Sequence, residues 1–257
     1  MKQVVIDTST NALSLALGEN NILKLAMTTQ GPKQHGEALV NVVDQSLKQL
    51  NWTPQDIEQL IIGVGPGSYT GLRIGVTYAK TWATLKQLPL YTVSSLSLIA
   101  ANGIPQATRN SLIIPMIDAR RQTAYTGAYQ YNDGKVIPYL TDRHTPWQDW
   151  IDQLKTDPIL NSINHLILIG EGIDEFVDLT GQVFSNIEIS VIQGWASLPH
   201  ASHVSLVETT LVSEPTLLAP NYALDTLAER QWAQEHQLNL SEVAHDTLVE
   251  RIQNNVD

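Results

Sequence analysis

The stretch Gly63–Gly75, "GVGPGSYTGLRIG", holds five glycines and a proline in thirteen residues. It follows "LIIGV" (60–64), which reads as a buried strand, and runs into "VTYAKTWATLKQL" (76–88), which reads as a helix. A glycine-rich turn ahead of a helix can cradle an anion, which makes Gly65 and Gly67 cofactor-binding candidates. The stretch is not a Walker loop, because no Gly-Lys-Ser/Thr closes it, and its spacing is not that of a dinucleotide fingerprint. Gly71 and Gly75 lie inside the helix, where each costs about 1 kcal/mol relative to alanine. A phosphate loop has no need of them there. Gly71, Gly75, Ala79 and Ala83 recur every four residues and form one line of small side chains, along which another backbone can come close.

The apolar and small residues of this helix, Ile74, Tyr78 and Trp82 among them, span an arc of about 200°, wider than the ~100° stripe that faces one sheet. The preceding helix, "GEALVNVVDQSLKQLN" (36–51), has a similar arc that includes Leu39, Val43 and Leu47. Two helices with two faces to bury predict a partner surface made of Leu39, Val43, Leu47, Gly71, Ile74, Gly75, Tyr78, Ala79, Trp82 and Ala83. Cover by loops or by the C-terminal helix is the alternative.

Outward from this junction, "KQVVIDTS", "ALSLALGE" and "NILKLAMTT" predict an antiparallel meander, and "TPQDIEQL" a helix with Thr53 as N-cap and Pro54 at its first position. With the "LYTV" strand and the short helix "SSLSLIAA", residues 1–103 read as βββαβαβ plus a short helix. A polar, turn-rich break follows. Residues 104–222 open again with strands, including a hairpin whose Asp133-Gly134 predicts a type I′ turn, and then alternate helix and strand, with a helix near "ASHVSLVETTL". The segment 223–257 reads as helices. The expectation is two α/β lobes in tandem.

Hydrophobic residues make up 43% of the 257, and there is no cysteine, which excludes disulfides, thiolate metal sites and a cysteine nucleophile. A net charge of −11 argues against the chain as a whole gripping a phosphate backbone, though not against a local basic patch. The chain starts directly on a strand pattern and has no apolar run of membrane-spanning length, so a cytoplasmic protein is expected. Asp7, at a strand end and followed by Ser9, could cradle a phosphate or hydrated Mg²⁺; the same residues also make an ordinary hairpin. Asp118, closing the "LIIPMID" strand, is the other carboxylate a kinase-like site would need. His200 and His203 are three apart in "PHASH" with no carboxylate cluster beside them, which favours a structural role. "GEG" (170–172) is equally an adenosine approach or a turn. No serine-hydrolase elbow and no His-Glu-x-x-His is present.

"VVIDTST…ALSLAL", "GPGSYTGLRIG", "VSSLSLIA" and "IDARRQTAYTGAY", in this order and separation, resemble the TsaB (YeaZ) family over most of the chain. The resemblance implies two ribonuclease-H-like lobes of the actin/Hsp70/sugar-kinase fold. It also implies a non-catalytic subunit of the bacterial machinery that makes threonylcarbamoyladenosine at position 37 of tRNAs reading codons beginning with A. The catalytic relative, TsaD, holds a metal through a His-x-x-x-His pair on the short helix after "LYTV". Those positions fall on Ser95 and Ile99 here, so no catalytic, metal or cofactor role is expected, and ATP and metal are expected on partners. The implied partners are a TsaD-like subunit packed on the two wide-arc helices and a TsaE-like ATPase. The same helical face could also pair with a second copy when the chain is alone. The acidic balance leaves tRNA contact mainly to partners, so that tRNA is met indirectly. Pro220-Asn221-Tyr222-Ala223-Leu224 lacks the arginine of the family's Pro-x-Tyr-Leu-Arg. The competing expectation is a nucleotide-binding ATPase or kinase-like enzyme of the same fold.

Overall fold

A computed structural model gives the structure of residues 1–31 and 35–223, the side chains of residues 35–37 excepted. Residues Met1–Asn221 form one compact unit. The helices expected within 223–257 lie outside the described residues, apart from Ala223, which is in no helix.

Strands β1 (Lys2–Asp7), β2 (Ala12–Glu19) and β3 (Ile22–Gln30) form the expected meander. Helix α1 (His35–Gln49) leads to β4 (Gln59–Gly63), α2 (Tyr69–Lys86) leads to β5 (Leu90–Val93), and a short α3 (Ser95–Ala100) follows. The second half repeats the scheme. Strands β6 (Ser111–Asp118), β7 (Thr123–Asn132) and β8 (Lys135–Pro146) precede α4 (Trp147–Thr156), β9 (His165–Ile169), α5 (Asp174–Val183) and β10 (Glu188–Ile192). The sheets run β5-β4-β1-β2-β3 and β10-β9-β6-β7-β8. In each, a parallel pair entered through helices flanks an antiparallel meander, so the two lobes share one topology.

The packing has five layers. Leu39, Val43 and Leu47 of α1 and Val76, Ala79 and Ala83 of α2 close the outer face of the first sheet. Helices α4 and α5 do the same for the second sheet through Trp147, Trp150, Ile151 and Phe176. Helix α3 is buried throughout and fills the seam between the sheets with Leu96, Leu98, Ile99, Ile113 and Ile169. Each fully buried Leu or Ile here removes enough apolar surface from water to contribute about 1.5–3 kcal/mol. Across the seam, the hydroxyls of Ser94 and Tyr129 both donate to the carboxylate of Asp142, whose pKa burial pushes above the usual aspartate value.

The structure differs from expectation at three places. Residues 54–56 form one 3₁₀ turn, pinned where Asp56 accepts bonds from the Thr53 N–H and hydroxyl at 2.7 Å each, and the chain then extends into β4. The segment Ala201–Leu206 is also 3₁₀ rather than α-helical. Thr209–Leu211, expected in that helix of the second lobe, is instead a strand, β11, which returns to the first sheet and pairs antiparallel with β5. Two β-branched threonines beside the unfilled edge of β5 favour that pairing. The hairpin turn is as expected, with φ of 47° at Asp133 and 84° at Gly134.

Candidate functional site

The glycine stretch is a packing device for the first hairpin. A Cβ built on Gly63 would lie 1.9 Å from the Asp7 carboxylate, on Gly67 2.2 Å from the Ser9 carbonyl, on Gly71 2.1 Å from the Thr8 carbonyl and on Gly75 2.3 Å from the Thr8 hydroxyl. All four glycines therefore receive the same three residues, Asp7–Ser9. Thr8 Oγ1 donates to the Gly71 carbonyl at 2.8 Å, and the Ser68 N–H donates to the Ser9 carbonyl at 2.6 Å. Gly65, at φ 102°, sits against the Asn221 carbonyl and the Leu72 side chain.

Asp7 is fully buried. It accepts from the Ser9 N–H at 2.9 Å, the Ser9 hydroxyl at 2.7 Å and the Ser95 hydroxyl at 2.6 Å. Ser95 Oγ accepts in turn from the Gly65 N–H at 3.1 Å. Asp7, Ser95 and Gly65 thus form a connected polar knot behind the site rather than in it.

In front of the knot, a cleft of about 670 Å³ opens between the lobes. Ser9, Gly67 and Ile99 from the first lobe meet Asp118 and Arg120 from the second along its walls. Ile99 is 1% exposed and offers only hydrocarbon. Asp118 is exposed, and its Oδ1 accepts from the Arg120 N–H at 2.7 Å. Among the described residues, no three His, Cys, Asp or Glu side chains gather where they could hold a metal. His200 and His203 pair with each other, ring centroids 5.5 Å apart, and His200 reaches Thr28 at 3.2 Å. Burial, first of all, lowers the His203 pKa below the ordinary histidine value.

The turn between β6 and β7 carries no signal in the sequence. Arg120, Arg121 and Gln122 have φ of 69°, 52° and 58°, three successive non-glycine residues in the left-handed region. Each such residue costs about 1–2 kcal/mol. Their conformation is held by bonds from the Thr123 N–H (2.9 Å) and hydroxyl (2.8 Å) to the Arg120 carbonyl, and from the Trp147 N–H to the Gln122 carbonyl (2.9 Å).

The predicted partner surface divides in two. Leu39, Gly71, Gly75, Ala79 and Ala83 are buried in the chain's own first lobe, and the small-residue line faces β1 and β4. The reason is the hairpin: Thr8 occupies the space that the glycines leave. Val43 and Leu47 are buried too but reach the floor of the groove between α1 and α2. Ile74, Tyr78 and Trp82 are half-buried. Tyr78 and Trp82 line an apolar groove of about 690 Å³ between α1 and α2, together with Val40 (53% exposed) and Leu85 (77% exposed). Tyr78 packs edge-on against Trp82 at 5.7 Å, and burial pushes its hydroxyl pKa up to about 12. Val40 and Leu85 belong to the wide apolar arcs but were not among the ten predicted contacts.

Residues 28–232 match the family model described as TsaD, tRNA N6-adenosine threonylcarbamoyltransferase. The chain is 39% identical over 155 residues to the tRNA threonylcarbamoyladenosine biosynthesis protein TsaB of Bacillus subtilis, a match covering 60% of this chain and 66% of that one. It is 32% identical over 136 residues to TsaB of Escherichia coli, covering 53% and 58%. The matches thus span about three fifths of these relatives' lengths. Among solved structures, a Pseudomonas aeruginosa protein described as similar to peptidase YEAZ superimposes with TM-score 0.70 at 23% identity, covering 87% of this chain and 99% of that one. At that identity the likeness speaks for the two-lobed fold.

Proposed function

The chain belongs to the TsaB (YeaZ) family, within the wider group that the threonylcarbamoyltransferase model describes, and on that premise we propose that it is a non-catalytic, activating subunit in threonylcarbamoyladenosine formation on tRNA. One observation carries the reading. At the α3 positions where the resemblance sets the catalytic relative's metal-holding histidines, this chain has a hydroxyl and a hydrocarbon. Ser95 is spent on Asp7 and Gly65, and Ile99 is buried in the seam. Neither side chain suits a catalytic divalent metal. The chain keeps the scaffold, and the chemistry falls to a TsaD-like partner, with ATP and metal bound there and on a TsaE-like ATPase.

The groove of Val40, Tyr78, Trp82 and Leu85 supports the α1/α2 face as the docking surface, because a contiguous apolar patch at the surface marks an interaction site. A second copy of the chain is the alternative occupant when the partner is absent. Reconstitution tests the proposal. The purified chain alone should leave tRNA unmodified, and adding it to a TsaD-like subunit, a TsaE-like ATPase and the activated threonylcarbamoyl donor should switch modification on. The interlobe cleft keeps one rival open, a nucleotide-hydrolysing enzyme. Tight, Mg²⁺-dependent ATP binding by the isolated chain in calorimetry would favour that rival.

A further inference from the structure

We propose that the Arg120–Gln122 turn, at the mouth of the interlobe cleft, binds the phosphate backbone of RNA directly. The proposal rests on the reading above only for which RNA is bound. The turn is a built feature: three successive non-glycine residues are held left-handed, with both the Arg120 and the Gln122 carbonyls tied down by hydrogen bonds. Outliers of this kind persist where surrounding structure over-determines them, and they gather at ligand clamps.

What the turn displays is a pair of adjacent, exposed guanidinium groups. The chain has 26 acidic residues against 15 Lys and Arg, yet among the described residues neither guanidinium has an ion-pair partner. Three exposed carboxylates stand near the turn, each already accepting a hydrogen bond: Asp118 from the Arg120 backbone N–H, Glu175 from the Gln122 side chain at 2.6 Å, and Glu171 from Gln30 of the first lobe at 3.4 Å. The opposite wall carries Tyr69, 54% exposed, with the Arg73 guanidinium over its ring at 5.3 Å. Guanidinium forks match phosphate oxygens.

The placement favours a strand over a free nucleotide. Arg120 and Tyr69 line the cleft, whereas Arg121 and Arg73 stand outside its lining. A single nucleotide held in the cleft would leave Arg121 unused, whereas a strand can extend past the lining to the second guanidinium of the turn. The expectation of indirect tRNA contact came from net charge alone, and a local patch escapes it.

The test is tRNA binding by the full chain, alone and assembled with its TsaD-like partner, followed by fluorescence anisotropy across a salt series. The probe is an unmodified transcript whose anticodon reads a codon beginning with A. The double variant Arg120→Gln, Arg121→Gln should bind about tenfold more weakly. Its slope of log K against log salt should flatten by about 1.4, the value for two lost single-strand phosphate contacts. Arg109→Gln, which removes an exposed arginine paired with Asp133, should change neither quantity. Arg120→Gly, expected to relieve strain while Arg121 remains, should fold and lose only about half of the slope change. Unchanged affinity and slope in the double variant overturn the proposal. So does weakened assembly with the partner at an unchanged salt slope, which would assign the arginines to protein docking. No measurable tRNA binding by the wild type in either sample overturns it too, whereas the subunit reading stands or falls on reconstitution.

Discussion

The hydroxyl of Thr8 and the carbonyl of Gly71 are joined by a 2.8 Å hydrogen bond that binds the first hairpin to the first turn of α2. No side chain fits between them, since even a methyl at Gly71 would stand 2.1 Å from the Thr8 carbonyl oxygen. The small-residue line of α2 is thus a core feature, and its changes should register as stability. Ala79→Leu is expected to destabilise the isolated chain by about 1–3 kcal/mol through overpacking against the first sheet. Partner affinity in the folded fraction should remain near wild type. A thermal melt and a calorimetric titration of the same variant check this. An unchanged melt with lost affinity would put the line back at an interface.

The outer groove should behave in the opposite way. Val40→Asp and Leu85→Asp place charge on exposed apolar positions, so the melting temperature should move little. Association with a TsaD-like partner, or with a second copy, should weaken at least about tenfold, as for a charge put into an apolar contact. Calorimetry and sedimentation measure the two. Wild-type association in both variants would mean that the groove is not the docking face.

Much of the fold was legible because it is written in local patterns. The meander follows from alternating apolar residues, the β7–β8 hairpin from Asp133-Gly134, and the tandem lobes from the order of elements. Periodicity could also say that Gly71, Gly75, Ala79 and Ala83 share a face, but not whether a sheet or another protein fills the space beside it. That depends on Thr8, which is 63 residues away in sequence from the Gly71 carbonyl it bonds. The return of Thr209–Leu211 to β5 likewise depends on a free sheet edge that a one-dimensional pattern does not show. The Arg120–Gln122 turn left no trace, since its residues are not those that favour the left-handed region.

The type I′ turn at Asp133-Gly134 should be structurally sensitive and functionally silent. Gly134, at φ 84°, has open space where a side chain would stand, so Gly134→Val meets strain rather than a clash. A β-branched residue there is expected to cost about 1–3 kcal/mol. The melt should fall while partner affinity holds. Loss of affinity at an unchanged melt would reveal an interface on the second lobe.

His203 should make stability pH-dependent on the acid side. Burial depresses its folded-state pKa below the ordinary 6.5. The unfolded chain therefore binds a proton there before the folded chain does. The contribution is fully present above pH 6.5 and is lost as pH falls toward the folded-state pKa. Urea denaturation at stepped pH should show stability declining below about pH 6.5, and His203→Gln should flatten that decline. An identical pH profile in the variant would remove His203 as its cause.

The most direct test of the subunit role is mass spectrometry of tRNA nucleosides from cells depleted of this chain. The account predicts that threonylcarbamoyladenosine falls as the chain is lost and returns when it is re-expressed. Normal levels of the modified nucleoside after complete depletion would contradict it.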